Sequence, residues 1–269
     1  MTAAVSYRIE AFNTATESEN RIHDDGIAQR FGFQGGLVPG VDVYAYMTRA
    51  AVLTFGEAFL ERGWMSCRFA LPVYDGETVD VIGEPSPEGD LAVSVMARGK
   101  ALATGSARLG DGSAAAPEIG DFGTAALPVA STRPAAGPRS LPEGRVLGTI
   151  REVADAEGQR AYRDDVRETH PLYAERGLVH PGFLLRRANS ALKDNVLLGP
   201  WIHVGSEVQH FAPLASGAPL ETRSCVSRLY DHKGHGFVDL DVALFSEGAA
   251  VARILHTAIY EPRQVRESA

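Results

Sequence analysis

The sequence predicts an α+β protein made of two tandem copies of one domain, each a curved antiparallel sheet around a single buried helix. Three observations predict it. Gly36-Leu37-Val38-Pro39-Gly40 returns as Gly177-Leu178-Val179-His180-Pro181-Gly182, and Pro72-Val73-Tyr74-Asp75-Gly76 returns as Pro213-Leu214-Ala215-Ser216-Gly217. Gly177 follows Gly36, and Pro213 follows Pro72, by the same 141 residues, so two landmarks keep one register across half the chain. Solenoid and propeller units repeat every ~20–50 residues, so a repeat this long marks a duplicated domain. Third, the first landmark of each pair precedes one long apolar run, and the run gives way to segments of period two.

The first copy covers residues 1–110. A strand is expected over 6–13, where Tyr7, Ile9, Ala11 and Asn13 alternate with Arg8, Glu10 and Phe12. The polar stretch 14–23 is expected as a loop, and 24–31 as a short helix. Over 41–60 nearly every face is apolar (Val43, Tyr46, Met47, Ala50, Leu53 and Phe59 among them), which marks a helix buried all round. Pro39-Gly40 punctuates its start and Arg62-Gly63 its end. Strands follow over 64–71, 77–82, 91–98 and 100–109, with turns at Tyr74-Asp75-Gly76, at Pro85-Ser86-Pro87-Glu88-Gly89 and at Gly99. The second copy, 145–269, repeats this order: a strand over 145–153, a helical patch at 159–166, a helix over 183–195 and strands between 201 and 260. Residues 111–144, rich in Ala, Pro, Gly and Ser, are expected to link the copies across the surface.

Bulk properties narrow the function. A chain of 269 residues suits two domains of roughly 100–150 residues. A formal net charge of −8 disfavours nucleic-acid binding, which calls for a basic stripe. The first residues lack the basic flank and apolar core of a signal peptide. No apolar run approaches the ~18 residues that span a bilayer. Two cysteines, Cys67 and Cys225, are too few for a disulfide framework, so a cytoplasmic location is expected.

A sheet wrapped around one apolar helix resembles the hot-dog fold, and two tandem copies resemble its double form. The segment Asn20-Arg21-Ile22-His23, with Ala28, Phe33 and the turn Gly35–Gly40 behind it, resembles the MaoC-like (R)-specific enoyl-CoA hydratase family. That family carries Asp-x-Asn-Pro-aliphatic-His on a loop before a small-residue turn that opens the central helix. Its Asp and His hold the water added to, or removed from, a 2-enoyl thioester. The resemblance aligns Asn20 with the Asn, Ile22 with the aliphatic position and His23 with the catalytic His. Asp25 matches an acidic position often found just after it. Arg21 replaces the Pro, and Ser18 stands where the catalytic Asp belongs, with Glu17 and Glu19 on either side of it. His23, Asn20, Ser18 and Gly40 are thus the candidate catalytic residues, and Gly36, Val38, Asp25, Glu17 and Glu19 the candidate substrate-binding ones.

The second copy shows the opposite defect. Glu168-Thr169-His170-Pro171-Leu172-Tyr173 fits the same six-residue frame with the acid kept and the catalytic His changed to Tyr. From this frame to the next Gly-Leu-Val there are nine fewer residues than in the first copy: His23 precedes Gly36 by 13, Tyr173 precedes Gly177 by 4. Glu168, Tyr173, His180 and His203 are its candidates, with His170, His180 and His203 expected to gather near one helix start. Its equivalent pocket is expected to be smaller or blocked.

Gly40 has a physical role as well. The first amides of a helix lack an intrahelical acceptor, and the helix dipole favours negative charge there, so a forming enolate oxygen would be stabilised. The glycines form no dinucleotide fingerprint, His232 and His235 lack a third metal ligand, and Ser66 and Ser206 lack a nucleophile elbow. The expected activity is hydration or dehydration of a 2-enoyl/3-hydroxyacyl thioester, carried by CoA or a carrier protein. It needs no metal and no cofactor beyond the substrate's own CoA. Two alternatives stay open: a hot-dog thioesterase using Glu17, Glu19 or Asp25, and a non-catalytic acyl-thioester-binding protein. The chain is expected as a monomer forming a pseudo-dimer, or as a homodimer, with the open pocket where the copies meet.

Overall fold

Alternating burial in β2 (Gly63–Phe69), β3 (Thr78–Pro85) and β4 (Leu91–Ala97) shows why these segments are strands: every second side chain turns inward. The computed structural model describes residues 3–16, 18–30 and 32–267, the side chains of Arg21 and Arg30 excepted. The first half runs β1 (Val5–Glu10), α1 (Asp25–Arg30), α2 (Gly40–Phe55), α3 (Ala58–Arg62), β2, β3, β4 and β5 (Lys100–Leu109). The second runs β6 (Ile150–Val153), α4 (Ala156–Asp165), α5 (Pro171–Arg176), α6 (Pro181–Lys193), β7 (Ile202–His210), β8 (Pro219–His232), β9 (His235–Ser246) and β10 (Ala249–Glu261), ending in the short α7 (Arg263–Arg266).

All ten strands form one antiparallel sheet in the order β1-β3-β4-β5-β2-β7-β10-β9-β8-β6. The order is symmetric about the β2–β7 pair: each strand of the first half has its counterpart at the same distance on the other side. This is a double hot-dog fold, with α2 and α6 as the two central helices. The seam pairs Trp64 with Gln209 through to Arg68 with Gly205, which leaves neither half with an open edge there.

The repeated motifs are the places where the loop before each central helix is tied to the turn between strands. Leu37 bridges Tyr74, and Leu178 bridges Ala215. The Val38 amide donates to Val73 O at 2.9 Å and the Val179 amide to Leu214 O at 2.8 Å. Gly76 and Gly217 sit at φ +69° and +90°, in the left-handed region that favours glycine, and close the two equivalent turns. Both copies keep these residues because the backbone geometry of the tie requires them.

Several boundaries differ from the sequence expectation, and three of the differences bear on the fold. The helix expected over 41–60 divides at Gly56, whose φ of +65° ends α2 before α3 begins. The strand expected over 6–13 stops at Glu10, with Ala11 continuing through single bonds to the Gly76–Glu77 turn. Of the segment 145–153 only Ile150–Val153 joins the ladder, while Val146 makes one isolated bridge to Cys225. Residues 111–144 lie on the second half: Phe122 packs on Phe245, and Ala135 bridges Leu197.

One hydrophobic core runs through both halves, including Met47 and Val52 of α2 and Leu185 and Ala188 of α6. The central helices meet where Gly182 faces Ala45. A Cβ on Gly182 would stand 2.7 Å from the Ala45 Cβ and would also strike the Tyr162 hydroxyl. Gly182→Val should therefore destabilise the protein by about 2–3 kcal/mol, the usual scale of overpacking, read as a lower urea midpoint with unchanged slope. An unchanged midpoint would show that the helices part without cost.

Candidate active site

The chain between β1 and α2 folds back on itself and delivers His23 on a single 3-10 turn, Arg21–His23. Gly36 passes so close to this turn that a Cβ there would collide with the His23 carbonyl, hence a glycine. Asn13 Nδ2 donates to the same carbonyl at 3.0 Å. The His23 ring is fixed by Nδ1, which lies 2.6 Å from Leu37 O. A carbonyl only accepts, so Nδ1 carries the proton and Nε2 keeps its lone pair. Burial lowers the His23 pKa from its ordinary value, with the Leu37 bond and the Asp42 charge opposing that shift. The imidazole is therefore neutral at pH 7 with Nε2 as its basic atom.

Asn20 is a clamp between the halves. Its Nδ2 donates to Trp201 O at 3.0 Å, its Oδ1 accepts from Trp201 N at 3.3 Å, and Nδ2 also lies 3.4 Å from His23 Nε2. Ser18 Oγ accepts from the Asn20 amide at 3.1 Å and so caps this turn. Asp25 Oδ1 accepts from the Gly36 amide at 2.6 Å, which uses its carboxylate to hold the turn. Glu19, with a side chain 71% exposed, pairs with Arg133 at 2.9 Å. Glu17 lies outside the described residues.

Two cavities meet at this histidine. An inner one of about 350 Å³ is largely apolar, lined by Val38, Val43, Phe69, Trp201 and Ile259 among others. An outer one of about 280 Å³ is more polar and includes Arg186, Arg187 and Lys193. Asn20, His23, Pro39, Asn189 and Trp201 line both, and so form the neck between them. Two of these five, Asn189 and Trp201, come from the second copy. The basic side chains are paired: Arg186 with the fully buried Asp42 at 2.8 Å, Arg187 with Glu152, and Lys193 with Asp194.

The start of α2 forms one side of the inner cavity. The Asp42 and Val43 amides bond back to Pro39 O, so the Gly40 and Val41 amides point out of the helix end. A Cβ on Gly40 would stand 2.9 Å from His203 Nδ1 and 3.1 Å from the Phe69 ring. Glycine at this position lets His203 and Phe69 pack closely against the helix start.

The second copy has closed its counterpart. Tyr173 is fully buried, and the Glu168 side chain is 2% exposed. Glu168 Oε2 meets His180 Nε2 at 3.3 Å, and Oε1 accepts from His170 N at 2.6 Å. Burial works to raise the Glu168 carboxyl, yet His180, the His170 amide and Arg49 together hold it below its ordinary value. The rings of Tyr173 and Tyr162 pack on His180 at 4.7 and 5.6 Å. The expected cluster of His170, His180 and His203 does not form. His170 and His180 cap the starts of α5 and α6, whereas His203 lines the first-copy cavity. The reason is the seam: antiparallel pairing carries the start of β7 across to the first copy's side.

His203 continues into a buried chain: its Nε2 lies 2.9 Å from Ser206 Oγ, which lies 3.0 Å from His256 Nδ1. Burial pushes the His203 pKa well below its ordinary value, with His256 adding to the shift. Burial takes His256 down to about 3, and burial with the nearby His180 takes His210 down to about 4. These folded-state values lie below the unfolded value near 6.5, so the stability they carry is present above pH 6.5 and is lost as the pH falls toward them. Between pH 7 and pH 5 His210 and His256 should each cost about 2 kcal/mol, seen as a falling urea midpoint. A midpoint that holds at pH 5 would mean these imidazoles accept protons in the folded state.

Asn189, Trp201, Phe69 and Asp42 were not singled out as site residues from the sequence. Asn189 shares a face of α6 with Arg186 and Lys193, so no local signal marks it. Among the described residues no group of three His, Cys, Asp or Glu side chains is placed to hold a metal, and no helix is long and apolar enough to cross a membrane.

The sequence matches no protein-family model and no curated protein. Solved structures do match it over nearly their full length. A Chloroflexus aurantiacus protein described as a MaoC domain dehydratase superposes with a TM-score of 0.67 at 11% identity, covering 97% of this chain and 96% of its own. A Mycobacterium tuberculosis protein described as a double hotdog superposes at 0.61 with 14% identity, 96% of each chain being covered. A Lactobacillus plantarum protein described as an oleoyl thioesterase superposes at 0.56 with 10% identity, over 97% of this chain and 98% of its own. At such identities the likeness establishes the fold: this chain is a double hot-dog, similar in structure to MaoC-like dehydratases and to hot-dog thioesterases alike.

Proposed function

We propose that this protein is an acyl-thioester hydratase or dehydratase acting on 2-enoyl/3-hydroxyacyl substrates of CoA or a carrier protein. One observation carries the reading: a neutral His23, its Nδ1 tied to a backbone carbonyl and its Nε2 basic, stands at the neck between an apolar and a polar cavity, with a helix start alongside. The apolar inner cavity suits the acyl group. The outer cavity suits the pantetheine arm, and the thioester then lies at the neck. The structural likeness to MaoC-like dehydratases agrees with this assignment.

In hydration, His23 Nε2 takes a proton from water as the water oxygen bonds to Cβ. The C=C electron pair moves toward the thioester oxygen, where the Gly40 amide and the positive end of α2 meet the developing charge. The imidazolium then returns the proton to Cα, so H and OH have been added and His23 is neutral again. Dehydration runs the same steps backward. Asp42, in the first turn of α2, would oppose a negative oxygen there, and its pairing with Arg186 removes that penalty.

A thioesterase would need a free carboxylate to activate water against the carbonyl carbon. Of the candidates among the described residues, Asp25 is engaged with the Gly36 amide and Glu19 with Arg133, which favours the hydratase reading over a thioesterase built on either; Glu17 lies outside the described residues. Product analysis separates the three readings: a hydroxyacyl thioester, a free acid with thiol, or unchanged ligand.

His23→Ala should lower hydration of a 2-enoyl-CoA by about 10²–10⁴-fold. The residue is half-buried and holds Leu37 O, so this variant should also lose about 1–3 kcal/mol of stability, and His23→Gln serves as the better-folded control. Unchanged turnover in both would remove the mechanism. Because burial lowers the His23 pKa, the base form persists below pH 6.5; the acidic limb of kcat/KM should have its midpoint under that value. Gly40→Ala should raise KM and lower kcat together, since the new methyl displaces Phe69 and His203 at the helix start; wild-type kinetics would take the thioester oxygen away from Gly40.

A further inference from the structure

The neck between the two cavities holds three polar side chains, and two of them are already committed. Asn20 has its amide engaged with both backbone groups of Trp201. His23 has Nδ1 on Leu37 O, and its Nε2 is approached by Asn20 Nδ2 at 3.4 Å, a long contact that a water can replace. Ser18, at the position of the missing carboxylate, has turned its oxygen to the Asn20 amide. The third polar side chain is Asn189, which α6 of the second copy brings to the neck. Its Oδ1 is buried and has no hydrogen-bond partner among the described residues. A buried amide oxygen left without a partner costs about 1–3 kcal/mol, so such a group calls for a functional explanation.

We infer that Asn189, which lines the same neck as His23, is the residue that orients the attacking water toward the β-carbon. The inference rests on the hydratase reading. An amide carries both a donor and an acceptor, so it can hold a water by one hydrogen while the other faces His23 Nε2. It cannot take the proton, so His23 alone shuttles it: the water O–H breaks toward Nε2, the oxygen bonds to Cβ, and the imidazolium proton goes to Cα. Water leaves in the reverse direction past the same amide. The missing aspartate is thus replaced in its positioning task, but not in its charge, by a residue of the other copy. That division explains why a first copy without its carboxylate is still joined to a second copy whose own pocket is closed.

The experiment compares wild type, His23→Ala, Asn189→Leu, Asn189→Asp and the double variant His23→Ala/Asn189→Leu. Hydration of crotonyl-CoA and a longer 2-enoyl-CoA is followed alongside calorimetric binding of the unreactive butyryl-CoA. Asn189→Leu should lower kcat by about 10²-fold or more, the scale of one lost positioning hydrogen bond, with butyryl-CoA affinity within about threefold of wild type. Asn189→Asp should recover most of kcat and add a new ionisation to the acidic limb of the pH profile, which a purely packing role would not do. The double variant should be scarcely slower than the worse single one, since both groups act on one water. If Asn189→Leu hydrates normally while His23→Ala does not, the Asn189 assignment falls and the hydratase reading stands. If Asn189→Leu loses kcat and butyryl-CoA binding together and Asn189→Asp recovers neither, the residue is structural and the assignment falls. A wild type that binds acyl-CoA and hydrates none removes both.

Discussion

The antiparallel pairing of β2 with β7 is the interaction on which the rest of this molecule depends. It joins the two half-sheets, and where it ends it creates the cleft. The last pair of the ladder is Arg68 with Gly205. The residues just beyond it on each strand, Phe69 to Leu71 on one side and Trp201 to Val204 on the other, line the inner cavity. Without this seam His203 and Trp201 would belong to a different part of the protein from His23, and Asn20 would have no backbone to clamp. The close approach of α2 and α6 at Ala45 and Gly182 follows from the same pairing, because each helix packs on its own half-sheet.

A seam between two like halves has two like ends, and evolution has treated them differently. At one end Phe69 and His203 pack edge to face at 4.8 Å beside an open cavity. At the other, Phe59 and His210 pack in the same manner at 5.4 Å inside the core. The second end is filled by Tyr162, Tyr173 and His180, and the buried Glu168 there accepts from His180 Nε2 with Arg49 nearby. The nine residues lost before Gly177 explain part of this: the short connection leaves no loop to stand away from the sheet and frame a pocket. What the second copy contributes to the first copy's inner cavity includes Trp201, His203 and Asn189.

The electrostatics of the interior follow one rule. Charges are kept in close pairs, as with Asp42 and Arg186, while histidines without a charged partner are held neutral by burial. His23 lies between these cases: its pKa is lowered by burial, yet it stands at the neck between two cavities, with Nε2 3.4 Å from Asn20 Nδ2.

The duplicated order of elements, the starts of both central helices and the location of His23 beside a glycine turn were all legible in the sequence. They were legible because they depend on local devices: positive-φ glycines, a proline at a helix start, period-two alternation. These devices act within a few residues and leave their mark there. The break at Gly56 was legible in principle, but an apolar run on either side masked it. The tasks of the polar side chains were settled elsewhere. Asp25 and Glu19 read as free carboxylates until the fold gave them partners, and Asn20 became a clamp by meeting a backbone 181 residues away. His203 left its expected cluster, and Asn189 reached the neck, because strand pairing across the seam brings distant residues together. Which polar atoms are satisfied, and which are left to meet a ligand, is a property of contacts between segments far apart in the chain, and only the tertiary structure decides it.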